Sequence, residues 1–256
     1  MTRPDKGFSA AVRHHQAGNL PQAETIYRRL LRRDARHADA LHQLGVIAHQ
    51  RGQHETATEY IHKAIALNAA DPAYHSNLGA VHHAQGHLDQ AEACYREAVR
   101  LNPSYAEAHH NLGLVLRERR EADEALFHFR EAVRLKPDYA EAQNTLGAIL
   151  QEQGDLSQAR ARYLEALRLN PAYAEAHNNL GATLQAQGDL SQAHSHYREA
   201  LRLKPAYADA HNNLGVSLQD QGDAAKALVH YRQALRLNPE CAVAHCNLGS
   251  LFQARG

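Results

Sequence analysis

"AEAHNNLGATLQAQGDLSQAHSHYREALRLKP" occupies residues 174–205. Its Leu180-Gly181 pair returns at Leu44-Gly45, Leu78-Gly79, Leu112-Gly113, Leu146-Gly147, Leu214-Gly215 and Leu248-Gly249, always at a spacing of 34 residues. A fixed period of this length marks a repeat array, in which each unit buries its apolar face on its neighbours and no single core forms. Counted from the sixth residue before each leucine, six repeats fill residues 38–241, with starts at Ala38, Pro72, Ala106, Ala140, Ala174 and Ala208. Residues 1–37 form a partial, capping repeat that begins near Pro4 and carries Gly18, Ala23 and Tyr27 in register. Residues 242–256 supply only the first helix of a truncated repeat, so Leu248, Leu251 and Phe252 are expected to lack the helix that would cover them, and the chain is expected to be a fragment.

Within one repeat, Leu180 and Leu184 share a helical face, and Leu190, Ala193, Tyr197, Ala200 and Leu201 follow at steps of three and four. This spacing predicts two amphipathic helices. Gly188 suits the left-handed conformation that closes the first, and Asp189 with Gln192 is placed to cap the second, as are Asp155 and Gln158 one repeat earlier. Pro103, Pro137, Pro171, Pro205 and Pro239 end the second helices. Ser104 with Glu107, and Asp138 with Glu141, are expected to cap the following first helices. Gly181 lies inside a helix, where glycine costs about 1 kcal/mol relative to alanine, so smallness must be needed there for close helix approach beside Tyr197.

Leu-Gly, then Gly, Ala, Tyr, Ala and Pro at fixed offsets, resemble the tetratricopeptide repeat. The resemblance implies an all-α fold, a right-handed solenoid or superhelix of helix-turn-helix repeats. The family's usual tryptophan is replaced by His75, His109, His177, His211 and His245, and by Leu41 and Gln143.

The chain holds 28 basic and 28 acidic side chains, and this balance offers nucleic acid or an anionic membrane no basic excess. The N-terminus lacks a signal-peptide apolar run and no 18-residue apolar stretch occurs, which predicts a cytoplasmic protein. Cys94, Cys241 and Cys246 follow neither disulfide nor zinc spacing and read as reduced thiols. Twenty histidines invite a metal reading, but His194 and His196 point to different helix faces and Gly86 interrupts the step from His83 to His87. No metal, cofactor or catalytic residue is assigned. Phosphate loops, nucleophile elbows and paired carboxylates are missing, so the chain is expected not to be an enzyme.

The sixth residue of each repeat reads Gln43, Asn77, Asn111, Thr145, Asn179, Asn213 and Asn247. Asparagine is a middling helix former, so propensity does not explain the column. In tetratricopeptide arrays the first helices line the concave groove, and a carboxamide matches the N–H and C=O of a peptide backbone. Asn77, Asn111, Asn179, Asn213 and Asn247, with Asn178 and Asn212 beside them, are therefore assigned as peptide-binding. The competing role is structural: the amides bond neighbouring helices and rigidify the array. The two differ in one expectation, since removing Asn179 and Asn213 should leave thermal stability nearly unmoved if the amides serve only a ligand.

An asparagine row on repeats reading "AEAHNNLG…QGDLSQA…YREALRLKP" resembles the arm of O-linked N-acetylglucosamine transferases and their bacterial relatives, as do the early segments "HHQAGNLPQAETIYRRLL" and "HADALHQLGVIAHQRG". That resemblance implies a substrate-recognition arm that holds extended polypeptide by its backbone, followed in the parent chain by a glycosyltransferase domain. The alternative is a freestanding adaptor that assembles a cytosolic complex. The expected partner in both cases is an extended polypeptide or protein substrate.

Overall fold

The computed structural model describes residues 6–253; Pro4 and Gly256, expected limits of the partial repeats, lie outside them. The described residues form fifteen α-helices and no strand. They run α1 (Lys6–Gln16), α2 (Leu20–Arg33), α3 (Ala38–Gln50), α4 (His54–Leu67), α5 (Pro72–Ala84), α6 (Leu88–Leu101), α7 (Ala106–Glu118) and α8 (Ala122–Leu135). Then follow α9 (Ala140–Glu152), α10 (Leu156–Leu169), α11 (Ala174–Ala186), α12 (Leu190–Leu203), α13 (Ala208–Asp220), α14 (Ala224–Leu237) and α15 (Ala242–Gln253). The helices fall into two compact segments, Met1–Leu135 and Lys136–Gly256. Within each, an odd-numbered helix packs on the even-numbered helix that follows it and, less extensively, on the one before it.

The packing inside a pair follows from the glycine column. A Cβ on Gly181 would lie 2.7 Å from Cε1 of Tyr197, and one on Gly147 or Gly215 would meet Tyr163 or Tyr231 equally closely. Phe129 fills this place against Gly113, and Ile61 against Gly45. Ala193 and Ala200 flank Tyr197 and are wholly buried, so α11 and α12 approach closely. Burying a ring such as that of Phe129 stabilises by roughly 2–3 kcal/mol, repeated along the array.

Helix ends are fixed locally. Gly188 has φ +86°, and its N–H donates to Gln185 while that of Asp189 donates to Leu184, which satisfies the last carbonyls of α11. Asp189 Oδ1 then accepts from the Gln192 amide at 3.0 Å. The Gln192 side chain donates to the Asp189 carboxylate and does not accept from the Asp189 backbone N–H, because that N–H is already committed to closing α11.

The expected caps at Ser104 and Asp138 do not form. The N-cap residues of α7 and α9 are Tyr105 and Tyr139, neither of which makes a side-chain capping bond. Ser104 and Asp138 stand one residue too early for their side chains to reach the first free amides of the helix. The turn before α7 is instead held by Asn102, whose Oδ1 accepts from the Ser104 amide at 3.0 Å, and Asn68, Asn170 and Asn238 repeat this bond two residues on.

Of the three residues of the last helix expected to lack cover, Phe252 is 49 % exposed, Leu248 is half-buried and Leu251 is only 1 % exposed, since α15 packs on the preceding helices α13 and α14.

Candidate polypeptide-binding face

On α11 and α13 the helical step places the fifth and sixth residues of the repeat on adjoining positions. Asn178 and Asn212 are buried, at 5 % and 7 % exposure, whereas Asn179 and Asn213 are half-buried. Asn179 Nδ2 donates to Asn144 Oδ1 at 3.1 Å, Asn213 Nδ2 to Asn178 Oδ1 at 3.1 Å, and Asn247 Nδ2 to Asn212 Oδ1 at 2.9 Å. Each bond joins the first helices of successive repeats across 35 residues. Within a repeat, Asn178 Nδ2 lies 3.5 Å from Asn179 Oδ1, and Asn212 Nδ2 lies 3.4 Å from Asn213 Oδ1.

In the N-terminal segment the same register is built with different chemistry. Asn77 Nδ2 donates to Nε2 of His42 at 2.7 Å, and Asn111 hydrogen-bonds the His110 side chain. Burial holds the His42 imidazole down to about 4, so at neutral pH it is an acceptor, and it packs against the Tyr74 ring at 4.5 Å.

The sixth-column amides therefore also join neighbouring helices: each of Asn179, Asn213 and Asn247 links two repeats. They also keep capacity in reserve. A carboxamide has two N–H donors and two lone pairs, and the bonds above use one donor of each of these three residues and at most one lone pair. Asn179 lines an open pocket with Ala148, Gln151, Glu152 and Tyr163.

A second row escaped the reading of the sequence. Tyr163, Tyr197 and Tyr231 pass their hydroxyls between the paired helices and donate to Oε1 of Gln151, Gln185 and Gln219 at 3.0, 3.0 and 2.9 Å. Thr183 adds a bond to Gln151 Oε1 at 2.8 Å. These glutamines recur at the 34-residue period, twelve residues before each tyrosine, which is the signal by which the row is findable.

Three of the five histidines that replace the family's tryptophan also pair with a second histidine. His109 and His128, His177 and His196, and His211 and His230 face each other through their Nδ1 atoms at 2.9, 3.0 and 3.0 Å. Nε2 of His109, His177 and His211 stands 3.1–3.2 Å from the carbonyls of Pro103, Pro171 and Pro205, so it must carry a proton and donate. Its Nδ1 is then the acceptor, and the second histidine donates. Burial, followed by the charge of His109, holds His128 down to about 4, and the same causes lower His196 and His230. Gln143 and Arg162 occupy this place in the repeat between, with Gln143 Nε2 donating to Pro137 O at 3.1 Å. Two imidazoles sharing one proton are a packing element, and among the described residues no group of three or more histidine, cysteine, aspartate or glutamate side chains is placed to hold a metal ion. The three cysteines are free, and among the described residues no helix is long and apolar enough to cross a membrane.

The TPR repeat family matches residues 82–118, 149–188 and 186–222, and further forms of the tetratricopeptide repeat match residues 9–75, 106–139 and 208–241. The chain belongs to the tetratricopeptide-repeat family. Among solved structures, this tetratricopeptide chain is similar to that of the APC/C hetero-tetramer Cut9-Hcn1, with TM-score 0.86 and 18 % identity over 98 % of this chain and 49 % of that one. It thus spans about half the length of that chain. YrrB, a TPR protein with an unusual peptide-binding site, is 27 % identical with TM-score 0.60, over 74 % of this chain and 97 % of that one. PilF of Pseudomonas aeruginosa is 23 % identical with TM-score 0.75, over 86 % and 97 % of the two chains. Comparison with curated proteins gives no match.

Proposed function

We propose that this tetratricopeptide chain is a protein-interaction scaffold that holds extended polypeptide on its amide-lined face, with no chemistry of its own. The observation that carries the reading is the amide row of the C-terminal segment. Asn179, Asn213 and Asn247 are held in a common orientation, and each keeps an N–H and a lone pair that its neighbours do not use. A peptide backbone offers the complementary pair at every residue, so such a row binds it with little regard to side chains. The peptide-binding site of the related YrrB supports the class of ligand. Asn77 and Asn111 form the corresponding set of the N-terminal segment, and in the C-terminal segment Asn178 and Asn212 support Asn179 and Asn213 from beneath.

The finer reading is the substrate-recognition arm of an O-linked N-acetylglucosamine transferase-like enzyme of bacteria, acting in the cytoplasm. It rests on the asparagine row and the repeat sequence. A freestanding adaptor is the second reading, consistent with YrrB, which this chain matches over 97 % of its length. A glycosyltransferase domain encoded in the same reading frame beyond codon 256 decides for the first, and a stop codon close behind decides for the second.

Binding itself is tested with Asn179→Ala/Asn213→Ala. Each lost bond is worth roughly 0.5–1.5 kcal/mol, so affinity for a fluorescein-labelled peptide of alternating serine, threonine and alanine should fall about ten- to a thousand-fold. A second peptide of unrelated composition should respond alike. Unchanged affinity for both peptides would refute the reading.

A further inference from the structure

Resting on that reading of the amide face, we propose that Asn144, Asn178 and Asn212 are positioning residues. They touch no ligand, and they set which end of each sixth-column amide faces a bound polypeptide. Their exposures are 9 %, 5 % and 7 %, which leaves them little contact with anything outside the array.

The reasoning starts from the symmetry of the side chain. An asparagine amide turned by 180° occupies the same space with its oxygen and nitrogen exchanged, so a half-exposed asparagine presents donor or acceptor indifferently. A row of such residues would offer a disordered mixture of the two, and a regular backbone ligand would have to reset every one on binding. Here the buried oxygen beneath removes the choice. Asn178 Oδ1 accepts from Asn213 Nδ2 at 3.1 Å, and turning Asn213 over would set oxygen against oxygen. Asn144 and Asn212 impose the same sense on Asn179 and Asn247.

The buried residues have partners of their own: Asn144 and Asn178 hydrogen-bond the Tyr173 and Tyr207 side chains. Asn178 Nδ2 is also directed at Asn179 Oδ1, and Asn212 Nδ2 at Asn213 Oδ1, at the longer distances of 3.5 and 3.4 Å. The amides thus form one path with a single sense, from Asn247 through Asn212, Asn213, Asn178 and Asn179 to Asn144. His42 plays the part of the buried acceptor for Asn77 in the N-terminal segment, which shows that the register requires an acceptor and not asparagine as such. What the path supplies to a ligand is preorganisation: the reorienting of amides that would oppose binding is done during folding.

The test uses the full chain with Asn178→Leu, which removes the acceptor, and Asn178→His, which keeps one as His42 does. In the free protein, nuclear magnetic resonance of the Asn213 side-chain amide reads the bond directly, through the shift and exchange protection of one of its two protons. Fluorescence anisotropy with the serine-threonine-alanine peptide reads binding. Asn178→Leu should abolish the protected proton and weaken binding about tenfold, the equivalent of one lost hydrogen bond. Asn178→His should keep the protected proton and bind within about twofold of the parent. If Asn178→Leu fails to fold, Asn178→Ser removes the long-reaching acceptor with a residue found in the same column of α5 at Ser76, and carries the same expectation. Binding unchanged by loss of the acceptor, alongside weakened binding by Asn213→Ala, overturns the positioning role alone. Weak binding by Asn178→His with the protected proton intact also overturns it, by making Asn178 a direct contact. Binding unchanged by Asn213→Ala overturns the polypeptide-binding face and the positioning role with it.

Discussion

The ring of Tyr197 lies against the backbone of Gly181 so closely that a methyl group there would stand 2.7 Å from its Cε1 atom. The ring cannot retreat freely, because its hydroxyl donates to Gln185 Oε1 at 3.0 Å, one turn beyond Gly181 on the same helix. Gly181→Ala therefore gains about 1 kcal/mol of helix propensity and loses roughly 1–3 kcal/mol to overpacking. A net loss of up to about 2 kcal/mol in urea unfolding is expected. Gly249 is the control: nothing lies within 4 Å of a Cβ placed there, so Gly249→Ala should be neutral or stabilising by up to about 1 kcal/mol. Equal effects at the two positions would refute the packing argument.

Arg120 has φ +66°, in the turn position where Gly86 and Gly154 stand in the repeats on either side. A side chain in this conformation costs roughly 1–2 kcal/mol against its steric preference. Arg120→Gly should raise the melting temperature, with a gain of about 0.5–1 kcal/mol once the extra freedom of glycine in the unfolded chain is deducted. A lower melting temperature would mean that the arginine side chain stabilises the turn.

Asp189→Ala removes the acceptor for the Gln192 amide and should cost about 0.5–2 kcal/mol. Ser104→Ala, at the position where a cap is expected from sequence and none forms, should stay within about 0.5 kcal/mol of the parent. Denaturant titration of the two variants separates a working cap from an apparent one.

Stability should fall as the pH is lowered from about 6.5 toward 4. The imidazoles of His42, His110 and His128 are held to about 4 by burial, so the folded protein binds fewer protons than the unfolded chain in this window. The stabilisation they give is complete above the unfolded value of about 6.5 and is lost as pH falls through the folded value. Urea midpoints at pH 7.5, 6 and 5 should decline in that order, and His128→Gln should flatten the decline. A flat profile in the parent would show that these histidines titrate as in the unfolded chain.

The array was legible because its information is local and repeated. A period of 34 residues, glycine at Gly188, aspartate at Asp189 and proline at Pro205 report backbone geometry within a few residues of themselves, and the structure places helix ends there. The glycine at Gly181 announced a close approach, and the tyrosine that makes it was in view sixteen residues on. The capping boxes at Ser104 and Asp138 misread because the same residue pattern one position out of register looks identical in sequence. Only the hydrogen bond from the Ser104 amide to Asn102 Oδ1 shows where the turn ends.

What the sequence determined by itself is the repeat, its two helices and the existence of an asparagine column on the first. What the tertiary structure alone decided is how those amides are spent. The bonds from Asn213 to Asn178, from His196 to His177 and from Tyr197 to Gln185 span 35, 19 and 12 residues, and each depends on the direction a side chain takes once two helices have packed. A carboxamide or imidazole reads the same in sequence whether it faces a ligand or a neighbouring helix. Distance and burial separate the two, because a polar group shut away from water must find its partner within the fold, and one left half-exposed keeps part of its bonding capacity for something else.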